Sequence, residues 1–253
     1  MPHRHSASLV EALVHAHKTC TSIEVEPELI PASLEAAMAV QAQTVAALGE
    51  KIGGWKVGIT GDGVSMAAPM FADAIVASGH SWPLTAAGPI LAEVEIAVRL
   101  RQDLPPRPSK PYVREEIVAA ISHVLPGIEL IQSRLVQGMA SPFPIWLADR
   151  LGNAGYVCGK QRADFAALDL GALRCQLSVD GRNVHDKAGG HPQNDPLTPI
   201  LVWANAQNDS TGGLRAGQII TTGSLIVPLR CTQSVHLVAE IEGLGRVEVQ
   251  IEG

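Results

Sequence analysis

The sequence predicts an α+β fold in which a helical layer, residues 1–50, lies on a coiled or barrel-like sheet built from residues 51–253. Three observations carry this reading. Helix-capping signals and alanine-rich stretches crowd into the first fifty residues. From Gly53 onward, short β-branched runs bounded by glycine and proline take over. No linker, internal repeat or low-complexity segment separates the two parts, so residues 1–253 read as one domain. Regular strand–helix alternation is missing, which argues against a TIM barrel or a Rossmann sheet.

The elements follow in order. Ser8 and Glu11 form a capping-box pattern ahead of Leu9, Val10, Leu13 and Val14, and predict a first helix starting there. Ser33 opens a second helix and Gly49 stops it. GWKVGIT reads as a buried strand. LAEVEIAVRL (91–100) alternates, placing Ala92, Val94, Ile96, Val98 and Leu100 on one face and Glu93, Glu95, Ala97 and Arg99 on the other. A helix is expected from Arg114 to Val124, a strand over GIELIQSR (127–134), and a hairpin at Asp180-Gly181. Pro196 to Ala206 reads as helical, with proline tolerated in the first turn. QIITTGS and a hairpin around Gly243 to Gly245 complete the chain.

Composition narrows the function. The 46% hydrophobic residues suffice for a core without disulfides. A net charge of −6 lacks the basic footprint of a nucleic-acid binder. The charged fraction of 17% is low enough to expect a homo-oligomer. Cys20, Cys158, Cys175 and Cys231 are scattered, so neither a zinc knuckle nor a disulfide framework is expected, and a reducing cytoplasm fits. No run approaches the ~20 apolar residues of a membrane span.

There is no P-loop, HExxH, GxSxG or EF-hand pattern, and GITGDGVSM lacks the third glycine of a dinucleotide fingerprint. Glu93 and Glu95 are the informative pair: two apart on a strand, their Cα atoms lie about 7 Å apart on one side. Alone, Glu-Val-Glu also suits the solvated face of an edge strand. Glu129 adds weight, because a carboxylate among Ile128, Leu130 and Ile131 is costly to bury unpaired. If the three converge, their repulsion calls for a cation or a shared proton, and an all-oxygen set selects Mg²⁺ or Mn²⁺ first and Ca²⁺ next. Lys56 interrupts an apolar strand between Gly54 and Gly58, which leaves room for a ligand beside its ammonium; the alternative is a lysine snorkelling from a sheet edge. His15 and His17 read as solvated surface, and His185 and His191 as part of a lid or a plain polar loop. His80, His123 and His236 show no local partner. Asp73 is either an acid/base or an ordinary cap.

GWKVGIT, AEVEIAVRL, PGIELIQSR and ITTGS, in this order, resemble the hydratase/decarboxylase branch of the fumarylacetoacetate hydrolase superfamily. The resemblance implies a mixed β-roll, a divalent metal held by Glu93, Glu95 and Glu129, a functional lysine at Lys56 and a position near the pocket at Ser224. It implies small 2-oxo or 2-hydroxydienoic acids as substrates, in the catabolism of aromatic compounds. Hydration of a 2-hydroxy-2,4-dienoate is the expected reaction. The alternatives are a 4-oxalocrotonate-type decarboxylase, an acylpyruvate hydrolase, or a weakly active subunit supporting a partner enzyme of the same pathway. One departure stands out. Related hydratases carry Pro-Asp-Phe-Gly with an acid/base aspartate where this chain has Pro69-Met70-Phe71-Ala72, and Asp73 lies three positions beyond Met70. Ala148-Asp149-Arg150 likewise stands where the family often has Ala-Asp-Asn.

Overall fold

The structure is a computed structural model that describes residues 2–207 and 212–253, with side chains from Ser8 onward. Helix α1 (Pro2–Thr19) and α2 (Leu34–Leu48) form the N-terminal layer. The Ser33 side chain accepts from the Ala36 N–H, and Gly49 ends α2 at φ 71°, a left-handed conformation that suits glycine. The α1 expectation needs correcting, because the helix already runs from Pro2 and Ser8 lies inside it.

The remaining elements are β1 (Ile52–Ile59), β2 (Ser65–Phe71), β3 (Ile75–Ala77), β4 (His80–Pro83), β5 (Ile90–Leu100), α3 (Arg114–Ala120), β6 (Ile121–Ile131), α4 (Phe143–Ala148), β7 (Asn153–Cys158), β8 (Arg174–Val179), β9 (Arg182–Ala188), α5 (Thr198–Ala206), β10 (Ile219–Ser224), β11 (Leu229–Cys231), β12 (Val235–Ile241) and β13 (Gly245–Glu252). The helix expected to reach Val124 ends at Ala120, and Ile121–Val124 open β6 instead, paired with β5. The apolar side chains there satisfy both periods, and cross-strand pairing decides between them.

The strands form two sheets. The larger has eight strands in the order β2-β1-β10-β5-β6-β7-β3, with β11 beside β5. The smaller runs β4-β13-β12-β8-β9. Both are open paths, so the barrel-like part of the expectation resolves into two sheets rather than a closed ring. Strands β12 and β13 pack on β6, and β13 also on β7. The Asp180-Gly181 hairpin forms as expected, with φ of 48° and 78° at the two turn residues.

Alternation along β5 gives the larger sheet two unlike faces. One carries Trp55, Val57, Ala92, Val94, Ile96, Ile128, Leu130 and Ile220 and belongs to the main core, shared with the smaller sheet and α5. The other carries the acids. Part of that second face, at Ala68 and Ile131, is covered by a cluster of Leu9, Leu13, Ala37, Val40, Ile145 and Trp146 from α1, α2 and α4. Among the described residues, no helix is long and apolar enough to cross a membrane.

Candidate active site

Strand β5 lies between β10 and β6, so its acids are on an interior strand rather than a solvated edge. Glu93 faces Glu129 directly in the β5–β6 register, and Ser224 faces Glu95. One carboxylate oxygen from each of Glu93, Glu95 and Glu129 lies within 4.8 Å of the others. Glu95 and Glu129 are fully buried, and Glu93 is 8% exposed. Lys56 arrives from β1, two strands away from β5, and its Nζ lies 2.9 Å from Glu129 Oε2 and 3.3 Å from Glu93 Oε2. It is therefore no edge lysine.

The glycines beside Lys56 do not leave the space that the sequence suggested. A Cβ on Gly54 would meet Met70 Cε at 2.9 Å, and one on Gly58 would meet Met66 Cε at 2.7 Å. Methionine side chains from β2 occupy that room.

Neighbouring groups hold the acids in place. Thr221 Oγ1 donates to Glu95 Oε2, while Glu95 Oε1 has no hydrogen-bond partner. Asn153 Nδ2 donates to Glu129 Oε1 at 3.0 Å. Asn153 is itself tethered, because Arg134 Nη1 donates to its carbonyl at 2.9 Å. Arg134 forms a buried pair with Asp149 (Nε to Oδ1, 2.6 Å) and also bonds the Asp149 carbonyl at 2.6 Å. The chain kinks between α4 and β7, with Arg150, Leu151 and Gly152 all at positive φ, and this clamp spans the kink.

Burial raises Glu95 well above the usual carboxylate range, and the charges of Glu129 and Glu93 push the same way. Burial also raises Glu129, against the opposing charge of Lys56. For Lys56, burial alone would depress the ammonium, but Glu129, Glu93 and Glu95 outweigh it and hold the group above its ordinary value. Tyr156, on β7 opposite Glu129, is raised by burial and then by Glu95.

The remaining expectations fall elsewhere. Asp73 is exposed on the turn after β2, and among the described residues no hydrogen bond or ion pair links it to the acids. Ser224 Oγ donates to the Ile226 carbonyl at 2.9 Å, and the residue lines a separate cleft of about 520 Å³ with His185 and Lys187. Met70 is buried with Ala97, Leu125, Tyr156 and Ile219. His17 is not solvated surface: its ring meets Phe71 edge-on at 5.5 Å, and the Arg150 guanidinium lies over the same Phe71 ring at 4.1 Å. His191 belongs to no plain polar loop, being buried with Nε2 3.1 Å from the Thr222 carbonyl. His236 has a partner 12 residues away, Glu248 at 3.0 Å. Asn153, Thr221 and the Arg134–Asp149 pair escaped the sequence reading, for they are polar residues whose partners are distant in the chain.

The donor set suits a hard divalent cation. It is all oxygen, it sets three carboxylates against one ammonium, and it leaves Glu95 Oε1 unpartnered.

Comparison with known proteins fits this geometry. The profile of the fumarylacetoacetate (FAA) hydrolase C-terminal family matches residues 63–252. The chain belongs to this family. It is 32% identical over 216 residues to a 2-hydroxyhexa-2,4-dienoate hydratase of Comamonas testosteroni, covering 81% of this chain and 80% of that protein. It is 24% identical over 253 residues to a 2-keto-4-pentenoate hydratase of Paraburkholderia xenovorans (strain LB400), covering 97% and 93%. Among solved structures, the 4-oxalocrotonate decarboxylase from Pseudomonas putida G7, complexed with magnesium and adipate, superposes with a TM-score of 0.86 at 21% identity, covering 99% of this chain and 98% of that one. The match takes in the twelve strands β2 to β13 and leaves β1, with Lys56, just outside it.

Proposed function

We propose that this chain is a divalent-metal-dependent lyase that adds water to a small 2-hydroxy-2,4-dienoic acid, yielding a 4-hydroxy-2-oxo acid. The single observation that carries the reading is the convergence of Glu93, Glu95 and Glu129 beside Lys56 in a fold shared with metal-bound relatives. The hydratases named above supply the substrate class. Glu93, Glu95 and Glu129 would hold Mg²⁺ or Mn²⁺. Bound there, the ion supplies Lewis-acid polarisation of an oxygen on the substrate.

The protein's own groups do the rest. Thr221 and Asn153 orient two of the acids, which leaves little rearrangement for binding. The Lys56 ammonium stands beside them as a counter-charge for the substrate carboxylate and as a proton donor. The apolar cluster around Met70 excludes water from one side.

A second reading has one specific observation in its favour. Met70, an apolar residue, occupies the position where the resemblance expects an acid/base aspartate, and decarboxylation of a 2-oxo acid needs no base to activate water. The purified protein, given Mg²⁺ or Mn²⁺ and 2-hydroxypenta-2,4-dienoate, is expected to form the hydrated product. Release of carbon dioxide from 4-oxalocrotonate without hydration would select the decarboxylase, and no metal-dependent turnover of either would defeat both. Lys56→Ala is expected to lower kcat about 100-fold as loss of a proton donor; a change confined to KM would reduce Lys56 to uniform binding.

A further inference from the structure

On the acid-bearing face, the row beyond Glu93 and Glu129 is the cross-strand pair Leu91 and Ile131, about 7 Å further along the strands. There the face meets a cleft of about 260 Å³. Its walls include Leu91, Ile131, Leu135, Val136, Met139 and Trp146. One lining side chain breaks this apolar character. Arg230 on β11 stands opposite Leu91 in register, which turns it to the same side as Leu91 and Glu93.

Arg230 is exposed, and among the described residues it has no carboxylate within ion-pair distance. Arg114, Arg174, Arg215 and Arg246 each pair with an acid, whereas among the described residues Arg101 and Arg182, which line no cleft with Arg230, do not. The cleft therefore has a hydrocarbon wall and an unpaired guanidinium, and its Leu91–Ile131 edge lies one row from the metal-suited acid cluster. An organic acid with the matching sequence of groups is a chelating 2-oxo acid head, a short carbon chain and a second carboxylate. Guanidinium is the side chain best shaped to take that carboxylate through two N–H groups. An extended six-carbon diacid spans about 6 Å between its end carbons, close to the one-row offset, and the Arg230 side chain covers the remainder.

We infer that Arg230 is a specificity determinant that reads a carboxylate at the far end of the substrate. The preferred substrates are then dicarboxylic 2-oxo or 2-hydroxydienoic acids rather than ones ending in a methyl group. This rests on the lyase reading of the acid cluster, and it holds for hydration and decarboxylation alike.

The test is calorimetric titration of the protein, saturated with Mg²⁺, against 2-oxobutanoate, 2-oxohexanoate and 2-oxohexanedioate. Wild type is expected to bind the diacid about tenfold more tightly than 2-oxohexanoate, as one charge-assisted contact at an exposed rim allows. Arg230→Met should bring that ratio to about one, and Arg230→Lys should leave it in between. A wild-type ratio near one, or a ratio that Arg230→Met leaves intact, overturns the assignment. The short 2-oxobutanoate checks the metal site separately. If it does not bind in the presence of Mg²⁺, the lyase reading itself fails; if it binds while the diacid preference is missing, only the role of Arg230 is lost.

Discussion

Two buried ionic clusters lie on either side of Asn153, and their charges are unbalanced in opposite directions. Around Lys56, three carboxylates face one ammonium. Around Asp149, two buried arginines, Arg134 and Arg150, face one carboxylate. The second cluster settles its surplus within the protein. Arg134 spends its donors on Asp149 and on the carbonyls of Gln132, Asn153 and Asp149. Arg150 lies over the Phe71 ring, a cation–π contact that offsets part of its lost hydration. The first cluster has no such internal remedy, since Glu95 Oε1 stays unpartnered. A surplus resolved by the protein suits a structural clamp, whereas one left open suits an added cation.

Breaking each cluster should give opposite signatures. The largest effect is expected from Arg134→Met, which leaves Asp149 buried without its cation and should cost about 3–5 kcal/mol of unfolding free energy, read by urea denaturation. Loss below about 1 kcal/mol would show that the Arg134–Asp149 pair is no structural clamp. Next, Glu95→Gln should weaken Mg²⁺ or Mn²⁺ binding by at least about 100-fold, read by calorimetry, while the metal-free protein stays as stable as wild type or gains. A destabilised metal-free variant would show that Glu95 serves the fold rather than an ion.

The smallest effect tests the edge of the arginine cluster. Burial, Arg150 and Arg134 push the His17 imidazole down to about 4. In the unfolded chain it titrates near 6.5, so between these values the unfolded state binds the extra proton. The contribution to stability is complete above about pH 6.5 and is lost as pH falls toward 4. Thermal unfolding of His17→Gln across that window should show a shallower decline than wild type; parallel curves would place the histidine outside the titrating set.

The contrast also explains what could be read from the sequence. Alternation along 91–100 placed Glu93 and Glu95 together, and an acid among Ile128, Leu130 and Ile131 announced that Glu129 needed company, because period-two patterning is local. Ser33, Gly49 and Asp180-Gly181 were equally legible as local turn and cap chemistry. The clamp was not. Arg134 and Asp149 lie 15 residues apart across α4, and His17 meets Arg150 across 133 residues. Strand β2 (SMAAPMF) carries alanines and a proline, both poor strand signals, and it is held by its pairing with β1. Sequence reading therefore found the acids and missed what steadies them.

The strand order has a last consequence, for assembly in time. Strand β10, residues 219–224, sits between β1, which carries Lys56, and β5, which carries Glu93 and Glu95. A growing chain that has not reached Ser224 has nothing to seat between them, so the ammonium and the acids cannot be brought to their final spacing. Such long-range closure is slow. Strands β5, β6 and β7 all precede β10 in the chain, so Glu93, Glu95 and Glu129 can gather on their own strands before Lys56 and Thr221 are seated beside them.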